Sequence, residues 1–124
     1  MKITDINVNV TLFTKSTRGR FAINEDLDVV LIDGTKLTVP KGTISNGASV
    51  PKLLRGIYSN IGLYTLPSVL HDYLYENHIY SRKFADRQFL VDMGKTNTNN
   101  FTKWLFYIVV RIFGGLNWKK YKVK

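Results

Sequence analysis

The stretch Leu70–Met93, LHDYLYENHIYSRKFADRQFLVDM, decides the fold. Val69, Leu70, Tyr73 and Leu74 recur at helical spacing. Asn77 to Tyr80 breaks that pattern, and Ser81 offers an N-cap for a second helix, Arg82 to Met93, which Gly94 is expected to end. Helices joined by so short a turn pack antiparallel. Asp86 shares a stripe with Arg82, Phe89, Leu90 and Met93, so its carboxylate is expected to be partly buried and to need a partner. His71 and Tyr75 stand one turn apart on one face of the first helix, and both can point at Asp86.

A carboxylate bonded to one imidazole nitrogen fixes the tautomer and leaves the other nitrogen as a base. Asp72, about 100° further round the helix, is placed to bind a hard cation. The same residues also read as a satisfied polar network that fixes helix register, with Arg82 or Arg87 neutralising Asp86 or Asp72. His78 is expected at the surface near the helix end, and Asp92 on the solvated side.

Upstream, the period changes from helical to two. Residues 3–13, ITDINVNVTLF, alternate as a half-buried strand does, with a slip near Asp5 that suggests a bulge. Lys15 to Arg20 reads as a basic loop tip, and Phe21–Ile23 as a short strand. Leu27–Ile32 and Lys36–Val39 flank Asp33-Gly34, a strong hairpin signal. The first third is therefore a small antiparallel sheet. Pro40 to Pro51 is a loop leaving it, in which Asn46-Gly47 can form a tight turn able to hold an anion. Alternatively it is a plain connector whose Ser49 caps a helix from Pro51 to about Tyr58. After a second connector, Asn60 to Tyr64, the first helix of the pair begins at Thr65 or Ser68, with Pro67 in its first turn.

Downstream, Thr96 to Asn100 is a polar turn. The last helix, Asn100 to Phe113, carries Phe101, Leu105, Ile108 or Val109, and Ile112 on one stripe, and Gly114-Gly115 is expected to stop it before a basic tail. This helix reads as packing on the sheet, with Trp104 and Trp118 covering its ends; the other reading is a membrane interface. The expected architecture is α+β: one domain over residues 1–124, mainly β over 1–40, mainly α over 51–114, with a basic tail over 115–124.

Composition limits the function classes. A chain of 124 residues with 44% hydrophobic and 22% charged residues is long enough for a real core and unlike a disordered segment. The absence of cysteine excludes disulfides, thiolate metal sites and a cysteine nucleophile. The opening MKITDINVNV has no continuous apolar core and does not read as a signal peptide. The apolar run Trp104–Val110 is far below the ~18–20 residues of a membrane span. Net charge is +9, which favours anionic partners: anionic lipid, an acidic protein face or nucleic acid. For nucleic acid only the charge speaks; no motif of a known reader is present.

Gly47-Ala48-Ser49-Val50-Pro51, His71-Asp72-Tyr73-Leu74-Tyr75, and Ser81-Arg82 with Ala85-Asp86 and Phe89 follow one another in an order that resembles a phage and prophage family, the domain of unknown function number 1353. The resemblance spans about Val39 to Gly114 and implies a bacteriophage origin without an activity. That family usually has Asp before the Gly-Ala-Ser, where this chain has Asn46. The helix pair also resembles secreted-type phospholipases, whose His-Asp-x-x-Tyr helix is followed by a helix with an Asp. That resemblance implies that His71 activates a water, Asp86 orients His71, Tyr75 bonds Asp86 and Asp72 binds calcium, which polarises an ester carbonyl. The chain departs from those enzymes in having no cysteine frame and no glycine-rich calcium loop, and its helices are closely spaced.

These readings converge on a small bacteriophage accessory protein, virion, tail or lysis associated, binding phage structural proteins or the bacterial envelope. It would be made in the host cytoplasm and carried in the virion if structural. The alternative is a calcium-assisted hydrolase at His71, Asp86 and Tyr75 with Asp72 as metal ligand and Asn46, Gly47 and Ser49 nearby. A hydrolase requires a pocket at His71 and an accessible Asp72; a binding protein requires a closed cluster with an exposed apolar or basic face elsewhere.

Overall fold

The computed structural model describes residues 2–3, 13–15, 21–45 and 65–120. The fold is α+β. The strands are β1 (Phe13–Lys15), β2 (Phe21–Ile23), β3 (Leu27–Val30), β4 (Lys36–Val39) and β5 (Ile44–Ser45); the helices are α1 (Thr65–Glu76), α2 (Arg82–Lys95) and α3 (Asn100–Lys120). The strands form two small antiparallel sheets rather than one, β1-β2-β5 and β3-β4. The expected alternating strand and its bulge near Asp5 lie largely outside the described residues, as do the Asn46-Gly47 turn, Ser49 and the helix from Pro51. Lys15, read as the start of a loop, is still paired with Phe21 in the ladder. Part of the expected loop after Pro40 is strand, because Ile44 and Ser45 pair with β2. Gly42, at φ 88°, makes the turn that brings them there, and its N–H donates to the Ile23 carbonyl.

The β3-β4 hairpin forms where Asp33-Gly34 predicts it, with Leu27 opposite Val39 and Val30 opposite Lys36. Its turn is longer than the two-residue type. Only Gly34 has positive φ, while the Asp33 carboxylate accepts from the Thr35 N–H and Leu31 N–H donates to the Thr35 carbonyl. Leu27 and Val29 face inward and Asp28 and Val30 outward, the alternation of a sheet covered on one side.

That inner face packs on α1. Ile23, Leu27, Val29, Leu31 and Val39 form one core with Leu66, Val69, Leu70, Leu74 and Tyr75. A second cluster, Phe89, Met93, Phe106 and Val110, joins α2 to α3. Ser81 caps α2 as expected, accepting from the Phe84 N–H. Replacing Ser81 with alanine should lower stability by ~1 kcal/mol in a denaturant titration, the usual cost of losing an N-cap acceptor. Gly94 does not end α2, which continues to Lys95; Asn97, at φ 61°, makes the reversal instead.

The last helix departs most from expectation. It runs through Gly114 and Gly115 to Lys120. Gly114 is an approach point and not a stop signal: a Cβ there would lie 2.6 Å from Tyr75 Oη and 3.4 Å from Arg82 Nη1. Gly114→Ala should therefore destabilise by ~1–3 kcal/mol as an overpacked contact between α3 and α1, read as a lower urea midpoint with unchanged slope. α3 packs on α2 and α1 rather than on the strands. Most of the stripe read as its core face points outward, with Phe101, Ile108 and Ile112 exposed; Leu105 and Val109 are half-buried against the α2–α3 cluster, and Thr102, Phe106, Val110 and Gly114 face inward.

Candidate functional site

Helix α1 supplies His71 and Tyr75, four residues and one turn apart, and both are buried. Helix α2 brings Asp86 opposite them. His71 faces both Asp86 and Phe89, and Tyr75 faces Asp86, which is the pairing of antiparallel helices. His71 Nε2 lies 2.7 Å from Asp86 Oδ1, and Tyr75 Oη donates to the same oxygen at 2.5 Å. A carboxylate oxygen only accepts, so Nε2 carries the proton. The imidazole is held between rings, with centroids 4.4 Å from Tyr75 and 4.7 Å from Phe89.

The other carboxylate oxygen faces two guanidinium groups. Arg111 Nη1, from α3, donates to Asp86 Oδ2 at 2.8 Å, and Arg82 Nη1 stands 3.6 Å away. Arg82 also donates to the carbonyls of Val110 and Arg111. Asp86 is fully buried on α2 and takes hydrogen bonds from α1 and α3. Burial works to raise its carboxyl, but the bonds from His71, Tyr75 and Arg111 outweigh that and hold it below the ordinary carboxylate range. Burial, reinforced by the negative Asp86, drives the Tyr75 phenol well above its ordinary value, so it stays a donor.

His71, Tyr75 and Asp86 thus come together as their spacing predicts. Arg82 contributes as one of the expected neutralising cations, whereas Arg87 is exposed. Arg111, which interrupts the apolar run after Val110, is a partner that spacing does not announce; a cation set among apolar residues is the signal that a buried acid is waiting for it. His78 is not a surface residue. It is half-buried, its ring lies 4.0 Å from that of Trp118, and Nε2 is bonded to the Trp118 carbonyl.

Asp92, expected on the solvated side, is 1% exposed. One oxygen accepts from Gln88 Nε2 and lies 3.7 Å from Lys95 Nζ, while Oδ2 has no hydrogen-bond partner. Desolvation pushes its carboxyl up to about 6, against the opposing pull of Gln88 and Lys95. Gln88 also accepts from the Ile32 N–H, which ties the hairpin to α2.

Asp72 is buried as well, and it has an interaction of its own. Among the described residues no group of three or more His, Cys, Asp or Glu gathers to hold a metal ion. Asn46, Gly47 and Ser49 lie outside the described residues. A cavity of about 360 Å³ lies elsewhere, lined by Lys2, Ile3, Val29, Val30, Lys36 and Asp92 among others, with none of His71, Tyr75 or Asp86 on its wall.

A family model described as "Protein of unknown function (DUF1353)" matches residues 21–110, which include every residue of the buried cluster except Arg111. No curated protein and no solved structure matches the chain.

Proposed function

The chain belongs to this family of unknown function (DUF1353), and we propose that it acts by binding, as a small bacteriophage accessory protein that engages phage structural proteins or the host envelope. One observation carries the reading: the polar cluster is closed and used as a tie between helices, while α3 presents an exposed apolar face. His71 and Asp86 are 1% and 0% exposed, whereas Phe101 and Leu116 on α3 are 76% and 79% exposed. A buried carboxylate on α2 that accepts from α1 and α3 fixes the relative position of the three helices, and so holds that outer face in place. Among the described residues no helix is long and apolar enough to cross a membrane. The test is to fractionate phage-infected cells and purify particles. The chain is expected in the particles or with the envelope; its recovery wholly in the soluble fraction, apart from both, would sink the proposal.

A second reading has an observation of its own. With Nε2 donating to Asp86, His71 Nδ1 is a lone pair without a hydrogen-bond partner. That is the arrangement of an oriented base able to take a proton from water in ester hydrolysis, with Asp86 stabilising the imidazolium and Tyr75 holding Asp86. It supports a hydrolase whose substrate reaches a ring now enclosed by Tyr75 and Phe89. A phospholipid-ester assay decides between them. Turnover that disappears in His71→Gln would establish the hydrolase; no turnover in the wild type leaves the cluster as a helix tie.

A further inference from the structure

Helix α3 turns its larger apolar face to solvent. Phe101, Trp104, Ile108, Ile112 and Leu116 recur every three or four residues and are 76%, 49%, 51%, 66% and 79% exposed. At helical rise they form a stripe about 22 Å long. Solvent-exposed apolar stripes of this extent mark interaction surfaces.

Charge identifies the occupant. From Arg82 to the C-terminus the sequence has ten Lys and Arg but only two acids, Asp86 and Asp92, and both are buried. The exposed acids among the described residues, Glu25, Asp26, Asp28 and Asp33, all belong to the strand segment. Lys119 lies on the apolar face itself and is exposed. A second copy would bring the same positive field against itself, with a net charge of +9 on each chain. An anionic surface is drawn in instead. Trp104 near one end and Lys119 at the other suit the boundary between headgroups and acyl chains, where aromatic rings and lysines anchor helices lying in the plane.

We propose that α3 docks flat on a bilayer surface carrying anionic headgroups, with Phe101, Trp104, Ile108, Ile112 and Leu116 inserted and Lys119 on the phosphates. The inference rests on the binding reading above and names its partner. Docking would combine burial of the stripe with electrostatic attraction, so it should weaken with salt.

The experiment is flotation of the full chain with phosphatidylglycerol-containing vesicles, beside pure phosphatidylcholine vesicles and a variant, Ile108→Glu/Ile112→Glu. Both sites are exposed, and a thermal melt by circular dichroism checks that the variant keeps its fold. The wild type is expected to float with the anionic vesicles. Retention should fall at least tenfold on neutral vesicles, in the variant, and in high salt. Failure of the wild type to float, or equal retention of the variant, would overturn the proposal. So would a lipid-free dimer in sedimentation that the variant abolishes, since the face would then belong to a second copy. Recovery of the chain in phage particles without vesicle binding would leave the binding reading standing and remove only the lipid partner. Cleavage of the vesicle lipid, lost in His71→Gln, would instead remove the binding reading.

Discussion

Replacing Asp86 with alanine is expected to lower folding stability by about 3–5 kcal/mol, the usual cost of removing one partner from a buried ion pair. The carboxylate is fully buried and accepts from His71, Tyr75 and Arg111. Without it, the Tyr75 phenol and the His71 N–H are left in the interior with nothing to accept their protons, and the half-buried Arg111 loses its acid partner. Typical domains have only ~5–15 kcal/mol of stability, so the variant should unfold at a much lower urea concentration. Tyr75→Phe removes one bond to the carboxylate and leaves the charges paired, and should cost less, about 1.5–3 kcal/mol. If the two variants were equally stable, Asp86 would not be the centre of the tie. The pH dependence has a definite sign. Because the folded carboxyl is held below its unfolded value, the stabilisation it provides is present above the ordinary carboxylate range and is lost as pH falls through the folded pKa.

Asp92 should behave in the opposite way. Burial raises its carboxyl from 3.8 to about 6, so between those values the folded protein holds a proton that the unfolded chain releases. Stability from this group is therefore full below the unfolded value and declines as pH rises, until at pH 8 a shift of that size corresponds to about 3 kcal/mol. Asp92→Asn removes the titration and retains an oxygen to accept from Gln88. The variant should be more stable than the wild type at pH 8, by up to about 3 kcal/mol, and close to it at pH 4. Paired urea titrations at the two pH values check this. A variant less stable at pH 8 would mean that Lys95 compensates the buried charge in full.

Much of this was legible in the chain because it is encoded locally. The helix pair follows from apolar spacing, from Ser81 as a cap and from the short turn between them; the hairpin follows from Asp33-Gly34. The cluster of His71, Tyr75 and Asp86 was readable for the same reason. A short turn fixes an antiparallel partner, and residues one turn apart share a face, so spacing alone brings them together. Gly42 and the β2-β5 pairing were less accessible, since a two-residue strand has no period to read.

Which face of α3 goes inward was decided only by tertiary structure. By hydrophobicity the stripe from Phe101 to Ile112 is the natural core face, yet most of it is exposed. The helix is turned by contacts that no local pattern announces. Arg111 must reach Asp86, Gly114 must sit against Tyr75 where a Cβ would collide, and Trp118 must meet Tyr75 and His78. These contacts join residues 25 to 43 positions apart, and together they overrule the apolar period. Likewise Asp92 is buried because α2 is covered on more than one side, whereas a helical wheel assumes a single buried face. Local order determined which elements form and which polar groups meet; the long-range fit of one charge and one glycine determined which surface the protein shows.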